Sequence, residues 1–179
     1  MKKKLISIII LFVVVAVYIG RVIYINVTRP EFRVEKDVYN INETVVHEDF
    51  EYKVEEFELL EPEELVEKYD VDGDFDNKTV KFLVAKVSVK YIGDEQEKVT
   101  PLKNAKFESK SWKNSSEYTL LRSINKKNLV FKPQQTKELY FIVKMSSVQF
   151  YGKEWDNVRN RTYYLVLDTY PRKVEIKCN

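Results

Sequence analysis

The sequence holds one cysteine, one histidine and four glycines in 179 residues, and each scarcity closes off a class of chemistry. With Cys178 alone no intramolecular disulfide can form, so the fold must be held by packing; its position beside the C-terminus reads as an incidental thiol. One histidine cannot supply the ligands of an ordinary zinc site. Four glycines leave no room for a glycine-rich phosphate loop, and neither a nucleophile elbow nor a metalloprotease motif occurs. A triad would have to use His47 as its base, yet its surroundings, "VVHEDF", read as a strand end with a packing or solvent-facing role. Paired carboxylates are plentiful, so a two-carboxylate glycosidase stays open on composition alone, without any cleft signal to support it. The chain is therefore expected not to be an enzyme.

What is present points to strands. Apolar residues make up 44% and aromatic residues 13%, with twelve Tyr and ten Phe, a composition that suits pleated, half-buried surfaces and is enough for a real core. Charge is split along the chain. From Glu43 to Asp76 about fifteen acidic residues face only Lys53 and Lys68, whereas after Asn77 basic residues outnumber acidic ones roughly two to one. The simplest expectation is that the two halves meet in one fold and neutralise each other.

The N-terminus, "MKKKLISIIILFVVVAVYIGRVIYINV", sets three lysines before an apolar run from Leu5 to Ile19 that continues past Arg21. Two readings compete, a cleaved signal peptide and an uncleaved anchor. Small residues at a cleavage site are poorly placed, and no cysteine follows that a lipid could modify. Arg21 can snorkel, and Tyr18 and Tyr24 suit an interface. Residues 1–25 are thus expected to be an N-terminal transmembrane helix acting as signal-anchor, with the lysines cytoplasmic by the positive-inside rule. Residues 26–37 follow as a stalk and 38–179 as an extracytoplasmic domain.

Within that domain "FEYKVEEFELL" alternates until Glu55–Glu56, where the phase slips by one residue, the mark of a β-bulge. "EPEELVEKYD" reads as the one short helix, with Pro62 in the first turn. In "TVKFLVAKVSVKY", Leu83, Ala85, Val87, Val89 and Tyr91 share one phase, and Phe82 and Val84 imply that the start of this strand is covered on both sides. "NAKFESKSW" and "SEYTLL" follow as further extended segments. Leu139, Phe141, Val143 and Met145 form the inward phase of a later strand. Leu165 and Leu167, then Val174 and Ile176, form a last hairpin. Seven to nine short strands of this kind predict a mostly β fold, an immunoglobulin-like antiparallel β-sandwich with one short helix insertion, preceded by the N-terminal transmembrane helix.

Three stretches carry a resemblance: "VSVKYIGDEQEKV", the turn in "LVFKPQQTKELYFIV", and the closing "YYLVLDTYPRKVEI". In these the chain resembles immunoglobulin-like ectodomain proteins of unknown function from Gram-positive bacteria, which join a short N-terminal membrane anchor to one β-sandwich. The usual glycine after the proline is Gln134 here, and the usual asparagine is Tyr91. The resemblance implies a sandwich outside the membrane and brings no catalytic residues.

Two candidate sites stand out. "YDVDGDFDNKT" places Asp70, Asp72, Asp74 and Asp76 around Gly73. Its spacing is not that of an EF-hand, since Phe75 occupies the position that requires glycine. A looser calcium cage and a solvated acidic turn both remain open, and no other cofactor is implied. The stretch from Ser146 to Arg161 has no strand pattern and gathers Phe150, Tyr151 and Trp155 with Lys153, Arg159 and Arg161; loops at a sandwich end commonly bind. The expected function is that of a non-catalytic binding or interaction module at the bacterial cell surface, held in the membrane through residues 1–25. The expected partner is a protein or a component of the cell envelope. An accessory or sensor subunit of a membrane complex is the alternative, and a small secreted hydrolase a more distant one. Without a single basic stripe, no nucleic-acid partner is expected.

Overall fold

The computed structural model describes residues 2–28, 34–71, 75, 78–96, 98–126 and 128–179. The chain divides into two units, Met1–Glu35 and Lys36–Asn179. The first is dominated by one helix, α1 (Lys2–Thr28, 27 residues), about 40 Å long at ~1.5 Å per residue. Its stretch Ile8–Ile25 is long and apolar enough to cross a membrane, and none of it is buried.

The second unit is made of β1 (Glu35–Asn40), β2 (Thr44–His47), β3 (Phe50–Leu60), α2 (Pro62–Tyr69), β4 (Val80–Tyr91), β5 (Lys98–Val99), β6 (Lys106–Ser109), β7 (Trp112–Ser115), α3 (Tyr118–Ile124), β8 (Val130–Phe131), β9 (Thr136–Ser146), β10 (Tyr164–Asp168) and β11 (Arg172–Lys177). Strand β1 takes in positions 35–37, the end of the segment read as a stalk. One sheet runs β1-β11-β10-β6-β7, the other β2-β3-β4-β9, and β5 and β8 form a small third pair.

The two large sheets close on one apolar core. Tyr52, Val54, Leu83, Ala85, Val87, Phe141 and Val143 from one sheet pack with Phe107, Trp112, Leu165, Leu167, Val174 and Ile176 from the other. Aromatic rings bridge the layers, with Phe107 at 5.2 Å from Phe141 and 5.6 Å from Phe57 between centroids. This is an antiparallel β-sandwich, and the inward phases read from the sequence for β4, β9 and the last hairpin are those that form its core. The bulge also falls where the alternation slips: Val54 pairs with Val87 and Glu56 with Lys86, leaving Glu55 as the extra residue.

A second, smaller cluster lies on the other side of β3, β4 and β9. Phe82, Val84 and Ile142 meet Leu65 of α2 and Ile124 of α3 there, so the start of β4 is covered on both faces as its sequence implied. The α3 segment departs from expectation. "SEYTLL" runs into a helix, not an extended strand, with Leu121 and Ile124, three positions apart, both buried. Among the described residues the sandwich thus carries two short α-helices where one was predicted. "NAKFESKSW" is not one strand either: it folds back on itself as Ser109 pairs with Trp112, with Lys110 at φ 50°.

The split in charge is resolved by strand pairing. Acidic residues of β3 lie opposite lysines of β4, with Glu51 at 3.6 Å from Lys90 and Glu55 at 3.4 Å from Lys86. Side chains occupy the free edge of β9. The Asn125 amide donates to the Tyr140 carbonyl at 2.8 Å and accepts from the Tyr140 N–H at 2.7 Å. Asn114 donates to the Lys144 carbonyl at 2.9 Å, and Gln149 accepts from the Ser146 N–H at 2.9 Å.

Candidate functional site

After β9 the chain turns through three short 3-10 segments, Ser147–Gln149, Gly152–Glu154 and Val158–Asn160. Side chains hold these turns. Gln149 also accepts from the Trp112 indole N–H at 3.2 Å, and Glu154 accepts from the Tyr151 N–H at 3.3 Å. The Tyr163 hydroxyl donates to the Val158 carbonyl at 2.8 Å, and burial pushes that hydroxyl up to about 12.

The structure separates Phe150, Tyr151, Trp155, Arg159 and Arg161 of this loop. Phe150 is buried, lying 5.8 Å from Trp112 in a stacked pair and 5.5 Å from the half-buried Trp155. Arg161 is only 6% exposed. Its guanidinium lies 4.9 Å from the Phe150 ring centre, and its Nη2 meets Glu154 at 3.2 Å. Tyr151 stands apart at 89% exposure. Arg159 is a clamp, its Nη2 bonded to Glu61 at 2.7 Å and its Nη1 to the Leu59 carbonyl at 3.3 Å. Lys81 shares that carboxylate. Burial raises the Glu61 carboxyl, but hydrogen bonds from Lys81 and Arg159 outweigh it and hold the group below its ordinary value. Phe150, Trp155 and Arg161 therefore form one packed unit, while Tyr151 and Arg159 belong to other surroundings.

Beside this unit opens a cavity of about 400 Å³, lined by Lys110, Lys153, Glu154, Asn157, Asn160 and Arg161. Three cations and one carboxylate give it a positive balance. Lys153 and Arg161 lie in the stretch that the sequence marks. Lys110 comes from the β6–β7 turn, more than forty positions earlier, and nothing in the local sequence pairs it with the loop.

His47 sits elsewhere, in a polar cleft of about 250 Å³ with Glu48, Asn104, Lys106 and Thr169. Its Nε2 is 3.8 Å from Asp168. Asp168 in turn accepts from the Thr169 N–H at 2.6 Å. Cys178 is buried, with burial pushing its thiol up to about 12, so its side chain packs in the core. Of the aspartate loop, Asp70 ends α2 in a left-handed conformation, its N–H bonded to the Val66 carbonyl at 3.0 Å. Asp72, Asp74 and Asp76 lie outside the described residues. Among the described residues no three His, Cys, Asp or Glu side chains converge as metal ligands would.

A family model for a domain of unknown function (DUF5028) matches residues 32–174. The chain belongs to the DUF5028 family. The match takes in the sandwich from just before β1 into β11. Solved structures with a similar chain course include a conserved hypothetical protein from Bacillus anthracis, at 14% identity and TM-score 0.48, covering 78% of this chain and 95% of that one. An uncharacterised β-sandwich protein from Clostridium difficile 630 shows 15% identity and TM-score 0.48, covering 82% and 98% respectively. A functionally unknown protein from Listeria monocytogenes shows 7% identity and TM-score 0.41, covering 69% and 70%. All three sources are Gram-positive bacteria. No curated protein matches the DUF5028 chain.

Proposed function

We propose that this chain is a membrane-anchored, extracytoplasmic, non-catalytic binding module at the bacterial cell surface. The observation that carries this is α1, whose stretch Ile8–Ile25 is apolar throughout except for Gly20 and Arg21 and has no buried residue. Burying such a surface in a bilayer is strongly favourable, at roughly 25 cal/mol per Å² of apolar area. Three lysines at the start of α1 favour a cytoplasmic N-terminus, which puts the sandwich outside.

Non-catalytic character is supported by the state of the one thiol: Cys178 is buried and held protonated near neutrality. Turnover that depends on His47 would sink this part of the reading.

The test is protease treatment of intact cells expressing the full chain with a C-terminal tag. The expected result is loss of the tag from cells, with the tagged chain resisting extraction by alkaline carbonate before treatment. A tag protected until lysis, or a shortened chain released into the medium, would overturn the proposed anchoring.

A further inference from the structure

The cavity beside Arg161 holds a charge that the protein itself leaves incompletely answered. A guanidinium carries five N–H donors and stays charged at any physiological pH. Arg161 is 6% exposed. Its Nη2 has Glu154, while its buried Nη1 has no hydrogen-bond partner among the described residues. Nη1 is closed off from solvent, so the guanidinium acts on the cavity as a fixed positive charge and not as an open donor.

The fixing is structural. The Phe150 ring lies against the guanidinium. The Arg161 N–H donates to the Val158 carbonyl at 3.3 Å, and the Arg161 carbonyl accepts from the Asn179 side chain at 2.9 Å. The group is therefore presented from a rigid base, as preorganised recognition requires. Around it the cavity adds the exposed Lys110 and Lys153 with Asn157 and Asn160, the Asn157 amide donating to the Lys153 carbonyl at 3.1 Å. Lys110, Lys153 and Arg161 against Glu154 leave an excess of two positive charges.

We infer that this cavity binds a phosphate group. A fixed arginine charge at the base with lysines at the mouth suits a compact anion of charge near two. The volume of about 400 Å³ leaves space for more than the anion itself, so a phosphate carried on a small organic ligand fits as well as the free ion. The assignment deepens the binding-module reading and rests on it. Its test reads the cavity alone, so failure here leaves the anchoring result standing.

The experiment uses the full chain in mild detergent. Its melting midpoint is measured in inorganic phosphate, in glycerol phosphate and in acetate, each against chloride at equal ionic strength. Three proteins are compared: wild type, the double variant Lys110→Gln/Lys153→Gln, and Arg161→Lys. Both lysines are exposed, so the double variant keeps the fold. The wild-type midpoint is expected to rise by about 3–5 °C at phosphate concentrations near ten times the dissociation constant. Removing both lysines should weaken phosphate at least about tenfold, the effect of losing ~1.4 kcal/mol of attraction. Arg161→Lys keeps the charge but loses the planar guanidinium held against Phe150, and should weaken the rise less than the double variant does. Tighter binding of glycerol phosphate than of inorganic phosphate supports an organic carrier. Equal midpoints in phosphate and chloride would overturn the inference. So would a phosphate response unchanged in the double variant, or one matched by acetate.

Discussion

The two apolar clusters on either side of the β2-β3-β4-β9 sheet are built in different ways. The large one is shared by two sheets and draws on nearly every strand. The small one depends on two helices of eight and seven residues, α2 and α3, lying over the outer face near Phe82, Val84 and Ile142. Helices that short do not persist alone in water, so packing on the sheet is what keeps them formed. Further along the same outer face the apolar side chains give way to charges: Lys86 lies between Glu55 at 3.4 Å and Glu138 at 3.0 Å. One strand, β4, thus changes from a two-sided core element to a one-sided one along its length. The difference teaches that the sandwich core should fail globally, and the helical cover locally.

The sharpest way to break this comparison is Phe141→Ala. Phe141 is fully buried against Phe107, and its loss should cost about 3–5 kcal/mol, read as a lower urea midpoint with cooperativity kept. Leu65→Ala in α2 removes a fully buried side chain of the smaller cluster and should cost about 2–3 kcal/mol. Hydrogen exchange should rise first across Pro62–Tyr69 and spare β4; equal rises in both would mean that the helix and sheet open together. Asn125→Ala strips both partners from Tyr140 and should cost about 1–2 kcal/mol, with faster exchange at the Tyr140 amide as its signature.

The smallest effect concerns Glu61, which joins the end of β3 to β4 and the Arg159 loop. Its folded carboxyl is held below the ordinary 4.5, so its contribution is complete above that value and disappears as pH falls through the lower folded one. Glu61→Gln should therefore cost roughly 0.5–1 kcal/mol at neutral pH after screening. The melting curves of variant and wild type should converge once pH falls through the lowered folded value. A gap that persisted in acid would mean that Glu61 acts through packing and not through charge.

How much of this was legible depended on where a residue's partners lie. The long strands β3, β4 and β9 were readable because each keeps a two-residue period over eleven or twelve positions, and even the bulge at Glu55 shows as a slip in that period. The β6–β7 hairpin was not readable. Its strands have four residues each, and its turn puts Lys110 in a left-handed conformation that glycine or asparagine would have advertised. The turn "KPQQTK" gives a milder case. Gln134 has φ 60°, where glycine fits more easily, which is the physical sense of the glycine expected there from the resemblance. In the candidate site the sequence marked the right loop, but aromatic and basic residues alone did not say which would face inward. Phe150 and Trp155 turned inward with Arg161 against them, while Tyr151 stayed open, because burial is decided by β7 and Tyr163 packing from far along the chain.

The asparagine-lined border of β9 has a consequence for assembly. An eleven-residue strand at a sheet margin is a template on which another chain can add by main-chain pairing. At Tyr140 both template positions are already filled by one amide, and at Lys144 and Ser146 one each is taken. A newcomer finds the zipper interrupted every few teeth. Addition of a further strand at this border must first displace those side chains.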